Sequence, residues 1–200
     1  MKKLIAIIAL CIATYSAKAQ ELQMESITSF NYSIGIPVGN LSDFISKVSP
    51  LGFSIDYKRA ITPNIYVGGE FGMNNFYEER SYQTYTEGTA SISGIQTRYN
   101  TSIPITITAD YIYTANNQFK PYFGIGLGTV YNYREIDLGL FNSTINTWFF
   151  TIKPEAGVIF NLNSFTGIKL GARYFQTFNT KDIDAYSYFA IDVGFVLMHF

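Results

Sequence analysis

Through most of this chain, large apolar residues alternate with small or polar ones at a period of two. The clearest stretch is Pro121–Tyr133. Phe123, Ile125, Leu127, Thr129, Tyr131 and Tyr133 share one phase, and Tyr122, Gly124, Gly126, Gly128, Val130 and Asn132 share the other. Successive side chains of a strand point to opposite faces, so this stretch predicts a strand with one bulky face and one nearly bare face. A helix is disfavoured, because each interior glycine costs about 1 kcal/mol. Seven further runs repeat the pattern: Ser26–Ile36, Leu51–Lys58, Ile65–Phe76, Ser102–Tyr113, Thr147–Asn161, Gly167–Gln176 and Tyr186–Phe200. The connections alternate between long and short. Pro37–Pro50, Tyr77–Thr101, Glu135–Asn146 and Phe178–Asp184 are long; Ile61–Asn64, Ala115–Gln118 and Asn163–Ser164 are short. Asn40–Ile45 predicts a short helical turn inside the first connection. Tyr77, Tyr82, Tyr85 and Tyr99 in the polar second connection suit strands prolonged past the main body, with ligand stacking as the alternative.

Sorting the charges by phase fixes the faces. Asp56, Lys58, Glu70, Asp110, Lys153, Glu155, Lys169, Arg173 and Asp192 all fall on the glycine-bearing phase, and Arg134 joins them at the top of the fifth run. Arg59 is off-phase, but it lies at a turn. The bulky phase therefore carries no charge at mid-strand, which is the pattern of a face turned to lipid. A charged side chain facing mid-bilayer lipid is costly in a membrane barrel, roughly 2–4 kcal/mol for Lys or Arg and somewhat less for a carboxylate. Reversing the phase would expose about ten such groups, a penalty larger than the whole ~5–15 kcal/mol stability of a typical domain. The expected fold is all-β: an eight-stranded antiparallel up-and-down transmembrane β-barrel. Its strands meet the ~9–11 residues that a tilted span requires. The interior of such a barrel is just wide enough for side chains to fill, so the inward ions are expected to form a paired lumen network. Tyr57, Tyr111, Tyr113, Tyr131, Tyr133, Trp148, Phe160 and Tyr174 are placed for interfacial girdles. Pro104 and Pro154 predict a local bulge or bend, since proline removes a ladder hydrogen bond.

Composition agrees. Charged residues make up 14% and aromatics 17% of the 200 residues, against roughly 25% charged in soluble domains. No later segment offers the ~20 consecutive apolar residues of a membrane helix. The N-terminus differs: Lys2 and Lys3, the apolar run Leu4–Ala13, and Ala17-Lys18-Ala19 have the form of a secretory signal peptide. Residues 1–19 are expected to be cleaved, leaving 20–200 as the barrel domain. Cys11, the one cysteine, would leave with the signal. So would three of the 14 basic residues, leaving 11 against 15 acidic, a net charge of −4. That balance does not suit nucleic acid.

Ile36-Pro37-Val38-Gly39-Asn40-Leu41, Tyr66 through Gly72, Tyr122 through Gly128, Pro154-Glu155-Ala156-Gly157 and the terminal Phe200 give the chain its family character. In these motifs it resembles the outer membrane protein beta-barrel domain family, the small porin-like eight-stranded bacterial barrels. The resemblance covers the whole mature chain. It implies a Gram-negative outer membrane as the location, with both termini periplasmic, and outer-membrane lipid and lipopolysaccharide as surroundings. It also implies that the barrel-assembly machinery reads Phe200, although Phe200 is out of phase with Val193, Phe195 and Leu197.

An architecture does not give an activity. Barrel hydrolases and acyltransferases usually need a histidine base near the outer surface, and the single histidine is His199, at the far C-terminus. The expectation is a non-enzymatic protein without cofactor or metal, its lumen filled by side chains and its loops free for structural or binding roles. The alternative is a narrow porin-like channel for small solutes or ions. A lipocalin-like carrier would need an apolar bore, contrary to the inward charges.

Overall fold

In the computed structural model the described residues are 25–87, 90–114, 118–139, 141–178 and 184–199, with the side chains of 86–92 excepted. The segment read as a signal peptide and the terminal Phe200 lie outside them. Eight strands form: β1 (Ser26–Val38), β2 (Ser49–Ala60), β3 (Ile65–Glu87), β4 (Ala90–Ile112), β5 (Phe119–Leu138), β6 (Phe141–Asn161), β7 (Thr166–Thr177) and β8 (Ser187–His199). Each pairs antiparallel with its sequence neighbours. β1 closes the ring on β8, from Ser26 opposite His199 to Val38 opposite Ser187. One short helix, α1 (Asn40–Phe44), sits in the connection from β1 to β2 and begins beyond Gly39, whose φ is +55°.

The faces follow the alternation. Phe53, Phe71, Ile107, Leu127, Ile152 and Val193 point outward, and Ile107 is 71% exposed. Asn31, Asp56, Glu70, Lys153, Arg173 and Asp192 point inward and are buried. The exposed wall is thus the apolar one, the reverse of a soluble protein, and its greasy surface suits hydrocarbon.

The strands are longer than the runs that signalled them. β3 continues to Glu87 and β4 starts at Ala90, so most of the polar Tyr77–Thr101 stretch is paired strand rather than loop. β5 and β6 likewise take up most of Glu135–Asn146, pairing as far as Leu138 with Phe141. Beyond the barrel rim these four strands form a free-standing wall, because β2 reaches only Asn74 of β3 and β7 only Thr151 of β6. The 13 or so residues of β3 past that point amount to roughly 40 Å of strand. Towards its tip, at Ser81–Thr84 of β3 and Phe141–Asn146 of β6, both faces meet water, so the lipid-imposed alternation of apolar and polar lapses while Tyr, Thr and Ile still favour strand.

Neither proline produces the expected bulge. Pro104 and Pro154 sit in unshifted register, and on one side of each the ladder simply skips a step: pairing passes from Phe71–Ile105 to Asn74–Ser102, and from Ile152–Gln176 to Glu155–Arg173. The missing N–H is accommodated by a gap of two residue pairs without a change of register. The irregularities that do occur lie between Ser33 and Gly35 and between Arg80 and Gln83.

The bare face of β3 and β5 is sterically required. A Cβ on Gly68 would meet the Tyr57 carbonyl and the Lys58 Cα, and one on Gly128 would meet the Ile105 carbonyl. At the lipid-facing Gly69 the nearest atom to a Cβ would be the Thr106 carbonyl oxygen at 3.8 Å, ordinary contact. Gly68→Val is therefore expected to lower urea stability by more than ~2 kcal/mol, read from the loss of the heat-modifiable folded band. Gly69→Val should leave that band in place.

Candidate functional site

The described interior is stacked in three layers. At the short-turn end, Ile27, Tyr66, Ile112, Tyr122, Ile159, Val196 and Met198 form an apolar floor. At the long-hairpin end, Phe76, Val130, Phe149, Phe175, Tyr186, Tyr188 and Ala190 form an aromatic ceiling, into which α1 and the residue after it insert Leu41 and Ile45, both fully buried. Between the two lie nine ionisable side chains, each at most 4% exposed.

These nine form one connected chain in which acid and base alternate. Asp192 meets Arg173 Nη2, and Arg173 Nη1 meets Glu70 at 2.6 Å. Glu70 also meets Lys153, which reaches Glu155 at 2.9 Å. Glu155 meets Lys58 at 2.7 Å. Lys58 branches to Asp110 and, at 3.8 Å, to Asp56, which ends the chain on Lys169 at 3.1 Å. Neutral side chains from β1 and β2 complete the shells, as donors or as acceptors. Asn31 donates to Asp56 at 2.8 Å, Ser33 donates to Asp192 at 2.6 Å, and Arg173 donates to Ser54 at 3.0 Å. Buried ions persist only when paired and hydrogen-bonded, and here alternation gives six of the nine charges at least two opposite neighbours, with Asp192, Asp110 and Lys169 as the ends.

The layers interlock. Lys169 and Lys58 lie 5.2 and 6.0 Å from the centre of the Tyr122 ring in the floor, and Arg173 lies 5.6 Å from that of Phe175 in the ceiling. The fifth strand supplies no ion but makes room: a Cβ on Gly124 would strike Asp110, and one on Gly126 would come within 2.8 Å of Lys153 Cε. The cavity bounded by Asp56, Lys58, Asp110, Tyr122 and Lys169 holds about 10 Å³, room for about one water.

The family model for the outer membrane protein beta-barrel domain matches residues 5–197. The chain belongs to that family. Among solved structures, this outer-membrane barrel is similar to Ail, the attachment invasion locus protein of Yersinia pestis, at a TM-score of 0.55 and 13% identity, covering 89% of this chain and 100% of that one. It is also similar to Neisserial surface protein A, at a TM-score of 0.53 and 14% identity, covering 87% and 96%. At such identities the likeness is one of fold. No curated protein matches the chain.

Arg134, grouped with the other lumen charges by its phase, stands apart in this outer-membrane barrel. It lies above the ceiling, its guanidinium carbon 4.4 Å from the centre of the Phe44 ring, and makes no ion pair among the described residues. The network proper thus holds five carboxylates and four cations. The excess shows at Asp110, whose Oδ1 has no hydrogen-bond partner. The ceiling aromatics and the buried face of α1 went unsingled in the sequence. The available signal was that Phe76, Phe149, Phe175 and Tyr188 share the phase of the charges, one turn of the pattern above them.

Lys153 joins two buried carboxylates, so Lys153→Met leaves both without it. The expected loss is about 3–5 kcal/mol, measured as a lowered urea midpoint of the folded band. Replacing Arg173 and Asp192 together by Met and Leu should cost less than the sum of the single changes.

Proposed function

We propose that this outer-membrane barrel is a non-enzymatic structural or binding protein whose lumen is closed and whose hairpin wall is its working surface. The observation that carries this reading is the three-layer filling of apolar floor, alternating ion chain and aromatic ceiling, in which the cavity beside Asp56, Lys58 and Asp110 has room for about one water and not for a file of solute. The wall adds support, because its extra strand length has no role in spanning a bilayer. In this reading residues 1–19 are removed on export, the short-turn end and both termini face the periplasm, and the wall stands outside the cell. The barrel-assembly machinery is the expected biogenesis partner through Phe200. Outer-leaflet lipid and lipopolysaccharide are the expected neighbours, without nucleic acid, metal or cofactor.

Planar-bilayer recording of the refolded full-length mature chain tests this. The expected trace is a flat baseline. Steady openings of reproducible conductance would replace the closed barrel with the narrow solute channel.

A further inference from the structure

Inner and outer faces of the wall carry opposite charge. Outward, β3, β4 and β5 present Tyr77, Glu79, Tyr99, Tyr133, Glu135 and Asp137. Tyr133 donates to Glu135 at 3.0 Å, and no base lies among these residues. On the inward phase stand Arg80, Arg98 and Arg134, with Glu78 as the acid between them. Register brings them together: Glu78 is opposite Arg98, Arg80 is opposite Gln96, and Asn100 is opposite both Phe76 and Arg134. The three arginines converge on the C-terminal end of α1. Arg98 donates to the Phe44 carbonyl at 3.0 Å, and Arg80 to that of Asp43 at 3.2 Å. The Arg98 and Arg134 guanidinium carbons lie 5.0 and 4.4 Å from the centre of the one Phe44 ring.

The neutralisation of this cluster is incomplete. Glu78 takes both the backbone N–H and the hydroxyl of Ser46 and shares only Arg80, at 3.5 Å. Arg98 and Arg134 have no carboxylate within ion-pair distance among the described residues, and the buried Arg134 Nε has no acceptor. Asp184 acts on Arg134 only at longer range. Burial, and then the Arg80 charge, holds Arg98 below the usual guanidinium pKa. Burial does the same to Arg134. Like charges gathered on one ring are the environment an anion relieves.

We propose that Arg98 and Arg134, with Arg80 at the rim, form a binding site for phosphate groups at the outer mouth of the barrel. The guanidinium fork matches phosphate oxygens in pairs. Phe44 packs against two of the forks, which limits the side-chain freedom left to be lost on binding. The phosphate can come from a membrane glycolipid reaching over the rim or from a soluble phosphorylated sugar. The proposal rests on the wall facing outward, but not on the lumen being closed.

The test uses the full mature chain in zwitterionic nanodiscs. In one arm inositol hexakisphosphate is titrated in, and in the other the discs carry phosphorylated or dephosphorylated lipid A. Arg134→Gln, which spares the Arg98 bond to α1, and Arg98→Gln/Arg134→Gln are compared with Arg59→Gln at the opposite end of the barrel. The expected result is salt-sensitive binding in at least one arm, weakened about tenfold or more by the double variant, with Arg59→Gln unchanged and the folded band intact in every variant. The responding arm identifies the source. No binding in either arm, equal binding by the double variant, or an equal loss with Arg59→Gln would overturn the site. Bilayer conductance, measured separately, bears on the closed lumen alone.

Discussion

Hydrocarbon supplies no hydrogen bonds, so each backbone group within a membrane span needs a partner in the protein. Pairing of β1 with β8 along the full 13 residues of β1 meets that demand, because it removes the last two edges of the sheet. Closure then dictates the rest. A ring of eight strands encloses a bore only side-chain wide, and period-two alternation sends half of every strand into it. Lipid claims the apolar half. The bore therefore receives what remains, which is why ions occupy the centre of this protein and phenylalanines its surface.

Filling such a bore with ions is not the most stabilising choice, since well-packed apolar residues often do as well or better than buried pairs. What the ion chain adds is mutual dependence. Residues on β2, β3, β4, β6, β7 and β8 must arrive in one register for acid and base to alternate. A slip of one residue in any of these strands would turn a charge to lipid and strip its partner in the bore. The glycines of β5 belong to the same arrangement, because their bare face is where Asp110 and Lys153 lie.

Strand number, strand phase and the sign of the interior were legible because the cost of a lipid-facing charge is large enough to leave one reading for Lys153, Arg173 or Asp192. Depth was not legible. Phase says which face Arg134 occupies but not that its height places it above the ceiling, beside Phe44 rather than among carboxylates. The reach of β3 to Glu87 was hidden for a related reason: outside the bilayer, selection for alternation ends while strand pairing does not. The ceiling was masked by chemistry. Near the strand tops aromatics stand on both faces, so the buried Phe149 looks in sequence like its outward neighbours Trp148 and Phe150. The seating of Leu41 and Ile45 depends on side chains from distant strands, which no local pattern records.

In the proposed closed barrel, the stacked interior also makes the lumen hard to breach. The floor, the ion chain and the ceiling are seals in series, and leakage requires all three to fail at one angular position. A substitution that loosens the ceiling at Phe175 leaves two barriers beneath it. Turning this barrel into a conduit would therefore take coordinated changes at separate heights, and the intermediates would be unstable before they were permeable. On that reading, impermeability would be buffered against drift more strongly than stability is.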